Sequence, residues 1–297
     1  MRRLGSGLLW VGLLSSGCRA FVTGALSNAL SSNSSTLAQD DDPELVAAAA
    51  PFGLETMMAL LEDDPENVGL LTALASGLTQ YAYGFVEEPA FALEATDFRG
   101  AEALRARARR LYLRARSYGL RGLVARHPSI EARLRSEGPL ELELIDVPLL
   151  YWTAAAWGLA IANSLDDPRS IAELPYVLRL AEEALALEES YGAGALHELF
   201  ITLESARPDG SSARVKQHFD RAVELSAGQH ASAFVSYAEK VAVAQQDVAL
   251  FRELLAAAQA VDVERSPDDR LANTLAQRRA ARLLGRVDDL FLDAALP

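Results

Sequence analysis

Two segments of this chain echo one another at a fixed distance. EEALALEESYGAGAL (182–196) lies over DRAVELSAGQHASAF (220–234), with Ala184 on Ala222 and Leu187 on Leu225, a spacing of 38 residues. A looser copy, LLAAAQAVD, follows at 254–262. From Asp42 onward Ala, Leu, Glu and Arg dominate, and no run alternates apolar with polar residues as a half-buried strand would. Residues 104–122 carry the helical period openly: Leu104, Ala108, Leu111, Ala115, Tyr118 and Gly122 fall on one face, with arginines around the rest. Asp-Pro pairs announce helix starts at Asp42-Pro43-Glu44, Asp64-Pro65-Glu66 and Asp167-Pro168. The Asp caps free amides, and Pro has no N–H to leave unpaired at the first helical position.

A repeat of 38 residues is close to the tetratricopeptide (TPR) period, in which one helix pair stacks on the next. The expected fold is all-α: TPR-like antiparallel helix pairs stacked into a compact α-solenoid or bundle. Small residues at the contacts allow close approach, and large ones from neighbouring helices fill the gaps. Stacked pairs of this kind present concave surfaces that bind peptides, proteins or ligands, and they seldom do chemistry.

The N-terminus points to export. Arg2 and Arg3 precede an apolar core, Leu4 to Leu14, of signal-peptide length, too short to span a bilayer comfortably. It ends in Leu14-Ser15-Ser16-Gly17-Cys18, which resembles a bacterial lipobox, except that Ser15 stands where such signals usually have Leu. In those signals the cysteine is lipidated and becomes the first mature residue. Cys18 is the only cysteine in the chain, so a disulfide within one chain and a cysteine-based zinc site are both excluded. The alternative is a plain cleaved signal, with a later cut at Thr23-Gly24-Ala25. The expected organisation is a lipoprotein signal peptide over 1–17, a flexible tether over 18–42 and a single helical domain over 43–297. The tether is rich in Ser, Asn, Ala and Asp and spans roughly 25–30 Å.

Charge and motif content narrow the function. The net charge of −13 becomes −15 once Arg2 and Arg3 are removed, which disfavours nucleic acid as a partner. His127, His197, His218 and His230 belong to no metal-binding pattern, and no GxSxG, P-loop or GxGxxG occurs. No catalytic residue, cofactor or metal is therefore expected, and an enzyme is not the reading. Eleven arginines fall between Arg99 and Arg135, against Glu102 and Glu131 alone. They read either as a solvated helix face or as a docking patch for an acidic partner, an anion or a lipid headgroup. Arg105, Arg109, Arg110, Arg114, Arg116 and Arg121 are the candidates.

PLLYWTAAAWGLAI (148–161) lies in an uncharged window of nineteen residues between Asp146 and Asp166. Pro148, Thr153, Asn163 and Ser164 dilute it, and its acidic flanks do not suit a membrane span. Tyr151, Ala155, Gly158 and Ala162 make a small-residue stripe on a helix starting at Pro148. Trp152 and Trp157 point about 140° apart around that helix. It reads either as a core helix or as one whose indole faces an aromatic cavity. The candidate cavity residues are Tyr81, Tyr83 and Phe85 of QYAYGF (80–85), with Tyr151, Trp152 and Trp157.

Several blocks, taken in order, resemble the T-component (TatT) lipoproteins of TRAP transporters, the tripartite ATP-independent periplasmic systems. They are DPELVAAAAPFGLETMMALLEDDPEN and LLTALASGLTQYAYGFV within 42–86, RARARRLYLRARSYGLRGL (105–123), PLLYWTAAAWGLAI, YGAGALHELFITLE (191–204), HFDRAVELSAG (218–228) and RLANTLAQRRAARLLGRVDDLF (270–291). The resemblance implies a helical, TPR-like periplasmic lipoprotein, anchored by lipid alone to the inner or outer membrane and assembled as a homotrimer. It further implies a pore or cavity in each protomer, docking of the periplasmic TRAP solute-binding protein, and handling of a small ligand, hydrophobic or an organic acid. The competing reading is a TPR-like scaffold lipoprotein for envelope protein assembly.

Overall fold

Asp42 and Pro43 begin the first helix as their chemistry requires. The Asp42 carboxylate accepts the Leu45 amide at 2.9 Å and Pro43 occupies the first turn of α1 (Pro43–Asp63). The computed structural model describes residues 37–292 apart from 137, 165, 208 and 209. The expected signal peptide and Cys18 lie outside the described residues. At Asp64-Pro65 the expected start moves: α2 (Val68–Ala82) is capped by Asn67, whose side chain accepts the Leu70 amide at 3.0 Å. Asp64 instead accepts from the Asn67 amide at 3.0 Å and steadies the turn.

The α2 backbone continues through one wide π turn (Tyr83–Glu87) into α3 (Glu88–Leu93). Next come α4 (Phe98–Arg126), α5 (Ile130–Leu134), α6 (Val147–Ala162) and the single turn α7 (Pro168–Ile171), capped by Asp167. The second half is a run of antiparallel helices, α8 (Leu174–Leu187), α9 (Ala195–Ala206), α10 (Ser212–Leu225), α11 (Ala231–Tyr237), α12 (Val248–Gln259) and α13 (Arg270–Leu284), with the closest packing of α8 on α6, α9 on α10, and α12 on α11 and α13. A short α14 (Val287–Leu290) closes the described chain. Among the described residues there is no strand, and the helix pairs pack antiparallel into a compact bundle. Ala184 in α8 and Ala222 in α10, the residues matched by the repeat, are both fully buried.

Close helix crossings depend on small residues. A Cβ on Gly119 of α4 would come within 2.2 Å of Thr153 Oγ1 on α6, so only glycine fits there. Thr153 cannot turn away freely, because its hydroxyl donates to the Leu149 carbonyl at 2.6 Å. The α6 helix is thereby held in the core with Leu150, Ala154 and Ala156 fully buried. Leucines at 70, 71 and 74 pack beside it, each worth about 1.5–3 kcal/mol by burial. Both α1 and the stretch Leu144–Ala162 are long and apolar enough to cross a membrane. The latter is mostly enclosed by protein, whereas α1 lies on the surface with Leu45 57% and Phe52 80% exposed.

The two ends of the described chain meet. Arg278 of α13 pairs with Glu44 of α1 at 2.5 Å, and Arg286 reaches Glu94 at 3.2 Å. Between these, Arg279 bonds Glu88 at 2.5 Å, Glu239 at 2.8 Å and the Tyr83 hydroxyl at 3.1 Å, while Arg282 also donates to Glu88. These pairs join α1 and the α2–α3 segment to α13, and a cavity lies beside them.

Candidate ligand cavity

The cavity has a volume of about 740 Å³ and lies between α1, α2 and α6 on one side and the α9, α11 and α13 helices on the other. That volume is within the range of small-molecule sites. Five of the six aromatic residues singled out from the sequence line it: Tyr81, Tyr83, Phe85, Tyr151 and Trp152. The π turn after α2 widens the helix, and Tyr83 shares this wall with Gln80, Tyr81, Gly84, Phe85 and Glu88. Gly84 lets α13 approach, since a Cβ there would meet Leu275 at 2.8 Å.

Trp157 is not part of the lining. Its indole N–H donates to Glu173 at 2.7 Å, Arg116 lies over its ring at 4.7 Å, and the residue is nearly fully buried. The 140° between the two indoles sends one to the cavity and the other to the opposite flank of α6. Tyr151 and Trp152 meet edge to face at 4.8 Å, and Tyr151 also packs against Tyr191 at 5.3 Å.

The opposite wall carries a polar cluster that sequence reasoning missed. His230 Nδ1 bonds Glu198 at 2.5 Å, His230 Nε2 pairs with Asp269 at 3.5 Å, and Ser232 donates to the other Glu198 oxygen at 2.5 Å. Burial opposes the charge on His230, but hydrogen bonds to Asp269 and Glu198 outweigh it and raise its pKa to about 10. Asn273 braces the cluster, accepting the Ala231 amide and donating to the Gln229 carbonyl, both at 2.9 Å. In sequence, Glu198 stands beside His197, and their adjacency misleads. His197 turns to His218 (Nδ1 to Nδ1, 2.9 Å), while Glu198 faces α11. Burial lowers the pKa of both His197 and His218.

The mouth of the cavity is partly covered by the last residues of the 18–42 segment. Leu37 and Ala38 line it, Gln39 donates to Asp268 at 2.7 Å, and Arg270 donates to the Gln39 carbonyl at 2.9 Å. Among the described residues no group of three or more His, Cys, Asp or Glu is placed to hold a metal ion.

The six arginines of the candidate patch surround α4 and mostly face acidic groups of the same chain. Arg105 pairs with Glu94 at 2.7 Å and Glu102 at 2.8 Å, Arg109 with Asp167 at 3.7 Å, and Arg116 with Glu173 at 2.7 Å. Arg114 reaches the Met58 sulfur at 2.6 Å and Glu55 at 4.0 Å, and Arg121 donates to the Pro65 carbonyl at 3.0 Å. Arg110 points to solvent. The arrangement ties α4 to α1, α3 and the 167–173 segment.

The family model described as TRAP transporter T-component (TAtT) matches residues 39–291, nearly all of the described chain. The chain belongs to the TRAP transporter T-component family. This T-component is also similar to a Treponema pallidum (strain Nichols) protein described as uncharacterized, with 29% identity over 270 residues, covering 86% of this chain and 82% of the relative. Family membership associates the chain with a TRAP transport system as an accessory component, a role that is generally non-enzymatic.

Proposed function

We propose that this T-component is a periplasmic accessory subunit, lipid-anchored through Cys18, that docks the solute-binding subunit of its TRAP system. It holds a small, largely apolar ligand in its internal cavity. The observation that carries the reading is the aromatic-lined cavity of about 740 Å³ between α1, α2 and α6 and the α9, α11 and α13 helices. A tether over 18–42 would let the domain reach a soluble partner while remaining at the membrane, and the proposed assembly is a homotrimer. The test is native mass spectrometry of the full chain in lipid nanodiscs, expressed with its own signal. The expected result is a trimer carrying a small co-purifying mass that is absent from empty nanodiscs. That mass should be lost in Trp152→Ala and kept in Trp157→Phe. A wild-type protein that carries no such mass and does not retain the solute-binding subunit would refute the proposal.

A further inference from the structure

The charges on the cavity wall bear on what it accepts, given the ligand-handling reading above. Four carboxylates line it, Glu88, Glu198, Asp268 and Asp269, against two basic side chains, Arg279 and His230. Neither base is available to an incoming anion. Arg279 is shared between Glu88 and Glu239, and His230 between Glu198 and Asp269. An anionic head would enter beside these carboxylates without a counter-charge, and a buried unpaired charge is heavily disfavoured.

Three of the four carboxylates are likewise committed to partners of this chain. Glu88 is already held by Arg279 and Arg282, and Glu198 by His230 and Ser232. Asp269 is held by His230 and Ser266, and Asp268 by Gln39. Asp268 has only a neutral amide as partner, so the wall keeps a net negative charge that opposes an anion.

Tyr151 differs from these groups. Among the described residues no protein group hydrogen-bonds its hydroxyl, although the ring lies on the wall between Trp152 and Tyr191. Burial first, and then the negative field of Glu198, keep that hydroxyl protonated. A phenol can both donate and accept one bond, so it matches a hydroxyl or carbonyl group. Elsewhere on the lining Val46, Leu54, Met57, Phe85 and Leu275 offer apolar surface for a hydrocarbon body.

We infer that the cavity takes amphiphiles with an uncharged head in preference to organic anions, an alkyl or ring body bearing a hydroxyl or carbonyl, and fixes that group through Tyr151. This departs from the organic-acid option for a TRAP-associated ligand and rests on the ligand-handling reading.

The test uses the full chain in nanodiscs, offered decan-1-ol and the permanently charged decane-1-sulfonate in equal amounts, with bound masses read by native mass spectrometry against empty nanodiscs. The alcohol should exceed the sulfonate by roughly tenfold or more. Tyr151→Phe should reduce alcohol binding by about fivefold, the effect of one lost hydrogen bond. Glu198→Gln should raise sulfonate binding while leaving helical circular dichroism unchanged. Equal or stronger sulfonate binding by the wild type would overturn the inference and leave the ligand-handling reading intact. Alcohol binding indifferent to Tyr151→Phe in a folded variant would overturn the assignment to Tyr151. Failure to bind either probe would overturn both the inference and the reading beneath it.

Discussion

Arg279→Met tests whether the joining of the α2–α3 segment to α13 rests on a buried charge network. The guanidinium is about 12% exposed, bridges Glu88 and Glu239, bonds Tyr83, and lies 4.9 Å over the Phe91 ring. Methionine keeps much of the volume but leaves Glu239 without its partner, whereas Glu88 retains Arg282. Removing one member of a buried pair costs about 3–5 kcal/mol. Because Arg282 remains, about 3 kcal/mol is expected, with roughly 0.5–1 kcal/mol more from the lost ring contacts. At about 2–4 °C per kcal/mol for a domain of this size, Tm should fall by roughly 7–16 °C. Urea and thermal unfolding followed by circular dichroism would measure it. Adding Glu239→Gln to Arg279→Met should restore part of the loss, because the stranded charge is then gone. A loss below about 1 kcal/mol, the worth of an exposed pair, would refute the reasoning, as would a double variant no more stable than the single one.

The histidines give opposite pH signatures. His230 is raised from 6.5 to about 10 in the folded protein, so its stabilisation is complete below pH 6.5 and is lost as pH rises through 10. His230→Gln should flatten the fall in wild-type stability across that alkaline window, and urea midpoints at several pH values would show it. His197 and His218 are lowered by burial, so the unfolded chain takes up their protons first and stability falls as pH drops below 6.5. His218→Phe, which keeps the stacking on Phe200, should reduce that acid sensitivity in the same titration. Gly119→Ala should destabilise by about 1–3 kcal/mol through its clash with Thr153, and Gly119→Ala with Thr153→Ala should recover part of it in thermal melts.

The fold was readable because helix pairing is a local matter. The recurrence of Ala184 at Ala222 and the run from Leu104 to Gly122 report contacts between near neighbours, and those contacts form. The helix start at Asp64-Pro65 slipped because Asn67 is an equally good cap, three residues further on and next to the first buried leucines. Tyr81, Tyr83, Phe85, Tyr151 and Trp152 could be grouped from the sequence as aromatic residues on uncharged helices, and the structure places them on one wall. Trp157 could not be told apart from Trp152 by composition; what separates them is Glu173, a hydrogen-bond acceptor sixteen residues away. The polar wall was hidden for a different reason. His230, Asp269 and Arg279 meet Glu198 and Glu88 only when helices far apart in sequence are stacked together, and no local pattern records that meeting. The arginines of α4 were conspicuous as a run, while their partners Glu94, Asp167 and Glu173 are scattered along the chain.

The joining of α1 and α3 to α13 also sets when the cavity can exist. Glu44 and Arg278 are 234 residues apart, and Glu88 and Arg282 are 194 apart. Contacts of such long range carry the loop-closure cost of everything between them and form slowly. As the chain is made from its N-terminus, the helices can pack one after another, each against its neighbour. Until α13 arrives, however, Tyr83 and Trp152 border an open groove. The chamber is the last thing the protein builds, and a chain cut short before residue 270 would be a stack of helices with nothing to hold.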